Sequence, residues 1–381
     1  MKILFAPNSF KESLSSVQIV RILSEEFAEI DGEKILLPLS DGGDGFLDVI
    51  DFINSDKCRS YFFQNEFGGI ISENKVLINA TTEELFIESA EVIGLRKLPL
   101  HLRKPMNLNT YALGNLIKQV IAARNNSQLS YFNKIIFGIG GTATIDFGLG
   151  TVEALGVKFF DKNKNLIKPV PENFLTIDEI NYSDFQLSLL KDVKISCIAD
   201  VDTPLLGSNS AIELYSYQKG AGKEEIDKIK KGIEHIANLL LEKKIVSDIF
   251  ALNGAGGGLA AGLNIFLKAE IIPSKSFISD LLLKEIDITE IDYLITGEGK
   301  FDIQSFEGKA TGELIKKFSP KVKNIFLVCG MIDENVKDLL PENVICFQLV
   351  DYFTNTAEAI KNAEIGLRSV SKKIFQLLVS Q

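Results

Sequence analysis

The chain has 381 residues, of which 46% are hydrophobic and 24% are charged. This length is long for one hydrophobic core, so we expect about two domains. The formal net charge of −10 argues against nucleic acid and against an anionic membrane surface as partners. No apolar stretch approaches the ~20 residues of a membrane span, and the four cysteines form no CxxC pair. We therefore expect a cytoplasmic protein with reduced thiols.

The first 60 residues alternate between strand and helix patterns. An apolar run predicts a strand over 2–6, and a helix follows from 15 or 16 to 30. A second strand is predicted over 35–39 and a second helix over 45–54. This βαβα order is typical of a parallel sheet.

The middle of the chain has a different pattern. Its predicted strands cover 61–67, 75–80, 84–90, 134–139 and 195–199, and its predicted helices cover 109–124 and 224–244. The glycine pair Gly68-Gly69 and the threonine pair Thr81-Thr82 mark the turns that join the first three of these strands.

The βαβ order returns near the end of the chain. Strands are predicted over 293–296, 324–329 and 344–349, and helices over 312–318 and 357–378. The simplest interpretation is an α/β fold in which the first and last segments share one parallel sheet. One domain would then comprise 1–60 and 286–381, and a second α/β domain, 61–285, would be inserted into it.

Acidic residues follow three of the predicted strands. Strand 35–39 runs into Asp41, which precedes the glycine pair Gly42 and Gly43. In the same way, Asp200 and Asp202 follow strand 195–199, and Glu298 and Asp302 follow strand 293–296. Ligands of α/β proteins bind at the carboxyl ends of strands. We therefore expect one site assembled from distant segments.

The glycine-rich turn over 138–143 has two interpretations. It fits a dinucleotide fingerprint, and Asp161 lies about 20 residues further on, as a ribose-binding acid would. The fingerprint alone is weak, so we prefer an anion-binding turn built from Gly140, Gly141 and Thr142. The segment over 253–263, which includes Gly256 and Gly257, is either a close packing of helices or a second phosphate-binding turn.

Histidine is rare, since His101 and His235 are the only two, so carboxylates and lysines are left for the chemistry. Several lysines adjoin loop motifs rather than solvated helix faces: Lys11, Lys219, Lys300 and Lys309. A lysine ammonium is a point charge that suits phosphate or carboxylate. Their positions favour an anionic substrate.

These motifs together resemble one known family. The chain is similar to bacterial glycerate kinases that have a flavodoxin-like domain and a restriction-enzyme-like inserted domain. The matching segments follow in order along nearly the whole chain: 6–11, 41–45, 138–144, 200–205, 218–221, 254–258 and 295–299, then Asp302, Gln304 and Lys309.

The resemblance implies an ATP-dependent kinase that phosphorylates glycerate at its 2-hydroxyl to give 2-phosphoglycerate, with Mg²⁺. The catalytic candidates are Asp41 or Asp200 as the base, with Lys11. The candidates for Mg²⁺ are Asp202, Glu298 and Asp302. The candidates for substrate and nucleotide binding are Ser9, Gly42, Gly43, Gly140, Gly141, Thr142, Lys219, Gly256, Gly257 and Lys309.

The sequence departs from the usual pattern of this family at several positions. The family usually has Asp, Gly, Asn, Gly and Arg where this chain has Asn8, Glu12, Ile145, Phe147 and Lys300. These changes leave open a kinase for another small hydroxy acid, or a non-catalytic binding relative. The sequence does not predict an oligomeric state.

Overall fold

The computed structural model describes residues 1–200, 203–284 and 286–380. Its strands, in chain order, are β1 (Lys2–Pro7), β2 (Glu33–Leu36), β3 (Cys58–Phe67), β4 (Ile70–Asn79), β5 (Glu84–Glu88), β6 (Lys134–Gly138), β7 (Lys158–Phe160), β8 (Glu179–Asn181), β9 (Lys194–Ala199), β10 (Glu270–Pro273), β11 (Tyr293–Gly297), β12 (Lys300–Phe301), β13 (Asn324–Cys329), β14 (Met331–Ile332) and β15 (Val344–Gln348).

Its α-helices are α1 (Ser16–Glu26), α2 (Phe46–Ile53), α3 (Ser89–Ile93), α4 (Tyr111–Asn125), α5 (Leu149–Ala154), α6 (Ala211–Tyr215), α7 (Lys223–Glu242), α8 (Leu259–Leu267), α9 (Ser274–Phe277), α10 (Ile303–Gly308), α11 (Ala310–Phe318), α12 (Glu334–Lys337), α13 (Thr356–Lys361) and α14 (Ala363–Val379). Within the described residues, no helix is both long and apolar enough to cross a membrane.

Contacts between Cα atoms divide the chain into two units. The first unit is Met1–Asp41, Asp48–Ile53 and Ser274–Gln381, and the second is Gly42–Leu47 and Asn54–Pro273. The domain boundaries proposed from the sequence fall at other residues, 60/61 and 285/286, and they stay a prediction.

The sheet of the first unit is parallel throughout. Its strand order is β15-β13-β11-β1-β2, and each neighbouring pair is parallel. Counted along the chain within this unit, the order is 2-1-3-4-5, which is the flavodoxin-like order. The predicted parallel flavodoxin-like sheet is therefore confirmed.

The start of α1 shows how local sequence sets these elements. The Ser15 hydroxyl accepts a hydrogen bond from the Gln18 N–H at 3.2 Å, and Gln18 Oε1 accepts one from the Ser15 N–H at 2.8 Å. This reciprocal capping box fixes the predicted start of the helix. The helix ends at Glu26, and the next residue, Phe27, is buried and packs edge-on against Phe5 at 5.4 Å between ring centroids.

The sheet of the second unit is mixed. Its order is β10-β9-β6-β5-β4-β3, in which β5, β6, β9 and β10 are parallel to one another, whereas β3, β4 and β5 are antiparallel. Strands β3 and β4 form a hairpin around Gly68 and Gly69, whose φ angles are 58° and 83°. Two positive φ angles are what a type I′ turn requires, so the predicted glycine turn is confirmed.

Candidate active site

The first unit has a topological switch point between β1 and β11. From β1 the chain continues to β2 on one side, and from β11 it continues to β13 on the other side. The connections therefore diverge at the carboxyl ends of these two strands and leave a crevice, which is where open α/β sheets bind ligands. The turn after β1 and the turn after β11 lie there.

The two turns at this switch point are in direct contact. The Asn8 N–H donates a hydrogen bond to the Gly297 carbonyl at 2.8 Å, and the Ser9 N–H donates to Asn8 Oδ1 at 2.8 Å. A Cβ atom placed on Gly299 would lie 3.0 Å from the backbone nitrogen of Lys11. Ser9 and Lys11, both predicted site residues, therefore lie beside the end of β11.

Glu298 is the buried acid of this switch point. Its side chain is 8% exposed, and Oε1 has no hydrogen-bond partner among the described residues. Burial raises the pKa of Glu298 to about 7 against the opposing positive charge of Lys309. The hydroxyl groups of Ser305 and Thr311 also oppose the rise, and the negative charge of Asp41 adds to it. A buried carboxyl oxygen without a donor is an open position for a ligand.

Asp302 lies at the start of α10, close to two lysines. Its Oδ1 accepts a hydrogen bond from the Ser305 N–H at 3.2 Å, and Lys300 Nζ lies 3.7 Å from its Oδ2. Burial alone would raise the pKa of Asp302, but the hydrogen bonds from Ser305 and the nearby lysine charges together outweigh it, and the pKa is lowered. The charges of Lys309 and Lys300 act in the same direction. Asp302 is thus held as a carboxylate.

The first unit therefore brings several predicted residues together. Asp41 is half-buried and lies within electrostatic reach of Glu298, and Lys309 acts on the pKa values of both Glu298 and Asp302. Acids and lysines from both ends of the chain therefore share this region.

In the second unit, the predicted glycines allow two turns to pack closely. A Cβ atom on Gly42, whose φ is 93°, would lie 2.7 Å from the Ile198 carbonyl oxygen. A Cβ on Gly140 would lie 2.6 Å from the Gly43 Cα, and one on Gly138 would lie 2.6 Å from the Gly42 oxygen. Only glycine permits these approaches. The structure thus gives Gly42, Gly43 and Gly140 a packing role.

The backbone of the turn after β6 is already engaged. The Gly140 N–H donates to Ser89 Oγ at 3.1 Å, and the Gly141 carbonyl accepts a hydrogen bond from the Leu95 N–H at 2.9 Å. The Gly140 donor is therefore used inside the protein.

Lys219 is buried beside the same turn. It is 6% exposed, and its ammonium donates to Thr142 Oγ1 at 3.1 Å and to the Thr144 carbonyl at 2.8 Å. Burial lowers the pKa of Lys219 to about 7, against the negative charge of Asp146. Lys219 and Thr142, both predicted to bind ligand, face inward and hold the loop that follows β6.

Asp146 is the second buried charge of this loop, and the sequence did not single it out for a role. Its Oδ2 accepts hydrogen bonds from the Thr110 N–H at 2.7 Å, the Thr110 hydroxyl at 2.8 Å and the Gly150 N–H at 2.9 Å. Burial raises its pKa despite these bonds. Asp146 thus holds the far end of the loop whose near end Lys219 holds.

The second glycine-rich segment packs against that loop. A Cβ on Gly256 would lie 2.8 Å from Ile139 Cγ2, and one on Gly257 would lie 2.2 Å from the Thr144 carbonyl oxygen. Their φ angles of 65° and 72° also require glycine. Of the two interpretations given above, close packing accounts for both residues.

The remaining predicted acids follow β9. Asp200 is exposed, and Asn253 Nδ2 donates to its backbone carbonyl at 3.1 Å. Asp202 lies outside the described residues. In the part of the chain that the structure describes, no group of three or more His, Cys, Asp or Glu side chains is arranged to hold a metal ion.

Glu88 is an acid at the carboxyl end of β5 that the sequence analysis missed. It is 7% exposed and accepts hydrogen bonds from the Gly45 N–H at 3.1 Å and the Leu47 N–H at 3.0 Å. The same rule that selected Asp41, an acid that follows a predicted strand, could have found it. The predicted strand over 84–90 ran two residues too far and hid that end.

Two departures from the family pattern have a backbone consequence. Glu12 and Phe147 stand where the family usually has glycine, and their φ angles are 67° and 57°. Non-glycine residues are strained in this left-handed region. Phe147 and Ile145 are 0% and 1% exposed, so these two changes lie in the core.

The comparisons with known proteins agree with one another. The model of the glycerate kinase family matches residues 3–379. A glycerate kinase from Neisseria meningitidis is 30% identical over 386 aligned residues, which cover 99% of each chain. A glycerate 2-kinase from Escherichia coli is 32% identical over 343 residues, which cover 88% of this chain and 87% of that one.

A solved structure has the same overall fold. The crystal structure described as a glycerate kinase 2 from Salmonella typhimurium superposes with a TM-score of 0.73 at 27% identity. The superposition covers 100% of this chain and 98% of that one.

Proposed function

The chain belongs to the glycerate kinase family, and we propose that it is an ATP-dependent kinase that phosphorylates glycerate at its 2-hydroxyl. The observation that carries the proposal is the family match over residues 3–379, which leaves no large part of the chain outside the family. The relative from Escherichia coli that is described as a glycerate 2-kinase supports the choice of hydroxyl.

The first unit supplies groups that suit phosphoryl transfer. This reaction depends mainly on positioning and on neutralising charge. We propose that Asp41 accepts the proton of the glycerate hydroxyl while that oxygen bonds to the γ-phosphorus of ATP. The bond from phosphorus to the bridging oxygen breaks, and ADP leaves with the electron pair. Lys309 and Lys11 would neutralise the negative charge of the phosphate groups or of the glycerate carboxylate.

Glu298 and Asp302 fit a role as Mg²⁺ ligands. Mg²⁺ is bound through one or two carboxylates together with the phosphates of the nucleotide. Glu298 Oε1 is buried and has no hydrogen-bond donor within the described residues, and Asp302 is held as a carboxylate. The ion would neutralise charge on the β- and γ-phosphates. Asp202, the third predicted ligand, lies outside the described residues.

A kinase assay with a panel of short acids tests the proposal. ADP release is followed with ATP, Mg²⁺ and each enantiomer of glycerate, and then with lactate and 3-hydroxypropionate. Lactate has only the 2-hydroxyl, and 3-hydroxypropionate has only the 3-hydroxyl. We expect turnover with glycerate at about 1–100 s⁻¹, and more residual turnover with lactate than with 3-hydroxypropionate.

The panel also separates the alternatives. Turnover with another acid but not with glycerate would identify a kinase of a different hydroxy acid. ADP release with none of them would favour a non-catalytic relative. The structure weakens the sequence argument for that alternative, because Ile145 and Phe147 are core residues and change no exposed group.

A further inference from the structure

Glu88 is the residue of the second unit whose place calls for a function beyond packing. It ends β5, and both oxygens of its carboxyl group are used at once. Oε1 accepts from the Gly45 N–H and Oε2 accepts from the Leu47 N–H. Gly45 immediately precedes α2 and Leu47 is its second residue, so Glu88 binds the start of that helix.

The amino end of a helix has unpaired N–H groups and a partial positive charge, and it attracts anions. In this protein the side chain of Glu88 takes the position that a bound anion would take. The turn from Gly42 to Leu47, which contains the binding candidates Gly42 and Gly43, therefore uses two of its donors internally.

This turn is loosely packed at Gly45. A Cβ on Gly45 would meet no described atom within 4 Å, and its φ is 86°. Glycines leave the backbone free to move, so its shape depends on specific bonds. The Phe46 N–H to the Gly43 carbonyl, at 3.1 Å, is one such bond, and the two to Glu88 are others.

We propose that Glu88 is a positioning residue of the Gly42–Leu47 turn: its carboxylate fixes the backbone that follows Asp41 directly in the chain. The inference rests on the proposed function, in which Asp41 accepts the proton of the acceptor hydroxyl. It gives the protein a second carboxyl group on which turnover depends, although this group does not touch substrate.

The surroundings of Glu88 raise the pKa of its carboxyl group. Burial raises the pKa of Glu88 to about 7 against the two backbone hydrogen bonds, and the negative charges of Asp44 and Glu91 add to the rise. The neighbouring cations are already paired, Arg96 with Asp44 at 3.7 Å and Lys97 with Glu91 at 3.1 Å. Below this pH, Glu88 carries a proton and can no longer accept both bonds as a carboxylate.

Nuclear magnetic resonance of the full chain tests the contact without using activity. With ¹⁵N-labelled glycine and leucine, the amide signals of Gly45 and Leu47 are followed from pH 5.5 to 8.5. We expect both to shift together with a midpoint near pH 7 in the wild type, to shift together with a somewhat lower midpoint in Glu91→Gln, and not to titrate in Glu88→Gln. Amides that do not titrate together within this pH range would overturn the proposal.

Turnover tests the positioning role. At pH 8, we expect Glu88→Gln to reduce kcat roughly 10- to 100-fold, the scale for a misplaced catalytic group, with KM for glycerate and ATP changed by less than threefold. At pH 5.5 the wild-type Glu88 is itself protonated, so the two kcat values should converge. Glu91→Gln, which removes a nearby charge but neither hydrogen bond, should behave like the wild type.

A kcat ratio near one at pH 8, or a ratio that does not change with pH, would overturn the positioning role. If Glu88→Gln fails to fold, Glu88→Asp replaces it, and the wild-type titration alone still decides the contact. Absence of turnover by the wild type would count against the proposed function and leave the magnetic resonance result to stand by itself.

Discussion

Asp41 is the residue on which the proposed proton transfer depends. It is half-buried, and its charge reaches the Glu298 carboxyl. Asp41→Asn keeps the size of the side chain and removes the base, so we expect kcat to fall roughly 10²- to 10⁴-fold, the range for a general base. The control is Asp44→Asn, since Asp44 is an exposed acid of the same turn. Normal kcat in Asp41→Asn would transfer the role to Asp200.

The burial of Lys219 predicts how the stability of the protein changes with pH. Its pKa in the folded protein is about 7, below the unfolded value of 10.5. Between these values the unfolded chain binds one more proton, so this residue makes stability rise with pH. From pH 7 to pH 9, the wild type should gain roughly 2–3 kcal/mol relative to Lys219→Met. Urea unfolding of both proteins at both pH values measures this difference in the free energy of unfolding.

The control for this experiment is Lys223→Met, which removes an exposed lysine four residues further along the chain. It should keep the wild-type dependence on pH. Parallel stability curves for the wild type and Lys219→Met would show that Lys219 is not buried in the way the structure describes.

A substitution at Glu12 tests how much a left-handed backbone conformation lowers the free energy of unfolding at an exposed position. With φ at 67°, Glu12→Gly relieves strain of about 1–2 kcal/mol, partly offset by the greater freedom of glycine in the unfolded chain. We expect a net stabilisation of roughly 0.5–1 kcal/mol by chemical denaturation. A destabilised variant would mean that the Glu12 side chain makes a contact worth more than the strain.

At the scale of elements, the turn before α2 provides a matched pair of glycines. Gly42 and Gly45 have φ angles of 93° and 86°. A Cβ on Gly42 would lie 2.7 Å from a backbone oxygen, whereas one on Gly45 would meet no described atom within 4 Å. Gly45→Ala should therefore cost only the conformational strain, about 1–2 kcal/mol, and Gly42→Ala should cost clearly more in urea unfolding. Equal losses would remove the packing role of Gly42.

Most of the regular elements could be predicted from the sequence, because their apolar periodicity is strong. The predicted strand over 324–329 has the observed bounds of β13, and the predicted helix over 224–244 differs from α7 by one or two residues. Other elements differ from their predicted bounds. The single helix predicted over 357–378 is two helices, α13 and α14, divided at Asn362. Strand β10 carries too few residues to give a pattern.

Part of the candidate site could also be predicted from the sequence, and part could not. Glu298, Asp302 and Lys309 could be found because each stands beside a strand end or a helix start, which the chain order reveals. Asp41 was found because it follows the predicted strand over 35–39, although β2 ends at Leu36. The burial of Lys219 could not be predicted, because it depends on the distant hydroxyl of Thr142. A lysine beside glycine suggests an anion site whether its ammonium points outward or inward.

At the scale of the whole molecule, the net charge of −10 sets a requirement for any anionic substrate. Local cations must outweigh a repulsive field, which is screened by salt over roughly 10 Å at 0.1 M. In the first unit, Lys309 and Lys300 lie beside Asp302, and Lys11 lies in the turn after β1. We propose that these lysines meet the requirement at the switch point of the flavodoxin-like sheet.

The position of the phosphate on the product tests the central claim most directly. The enzyme is incubated with ATP, Mg²⁺ and glycerate, and the product is examined by proton-coupled ³¹P nuclear magnetic resonance. Phosphate on the 2-hydroxyl is coupled through oxygen to one proton and gives a doublet, whereas phosphate on the 3-hydroxyl is coupled to two protons and gives a triplet. We predict a doublet that appears in step with ADP. A triplet, or ADP without a phosphorylated acid, would contradict a glycerate 2-kinase.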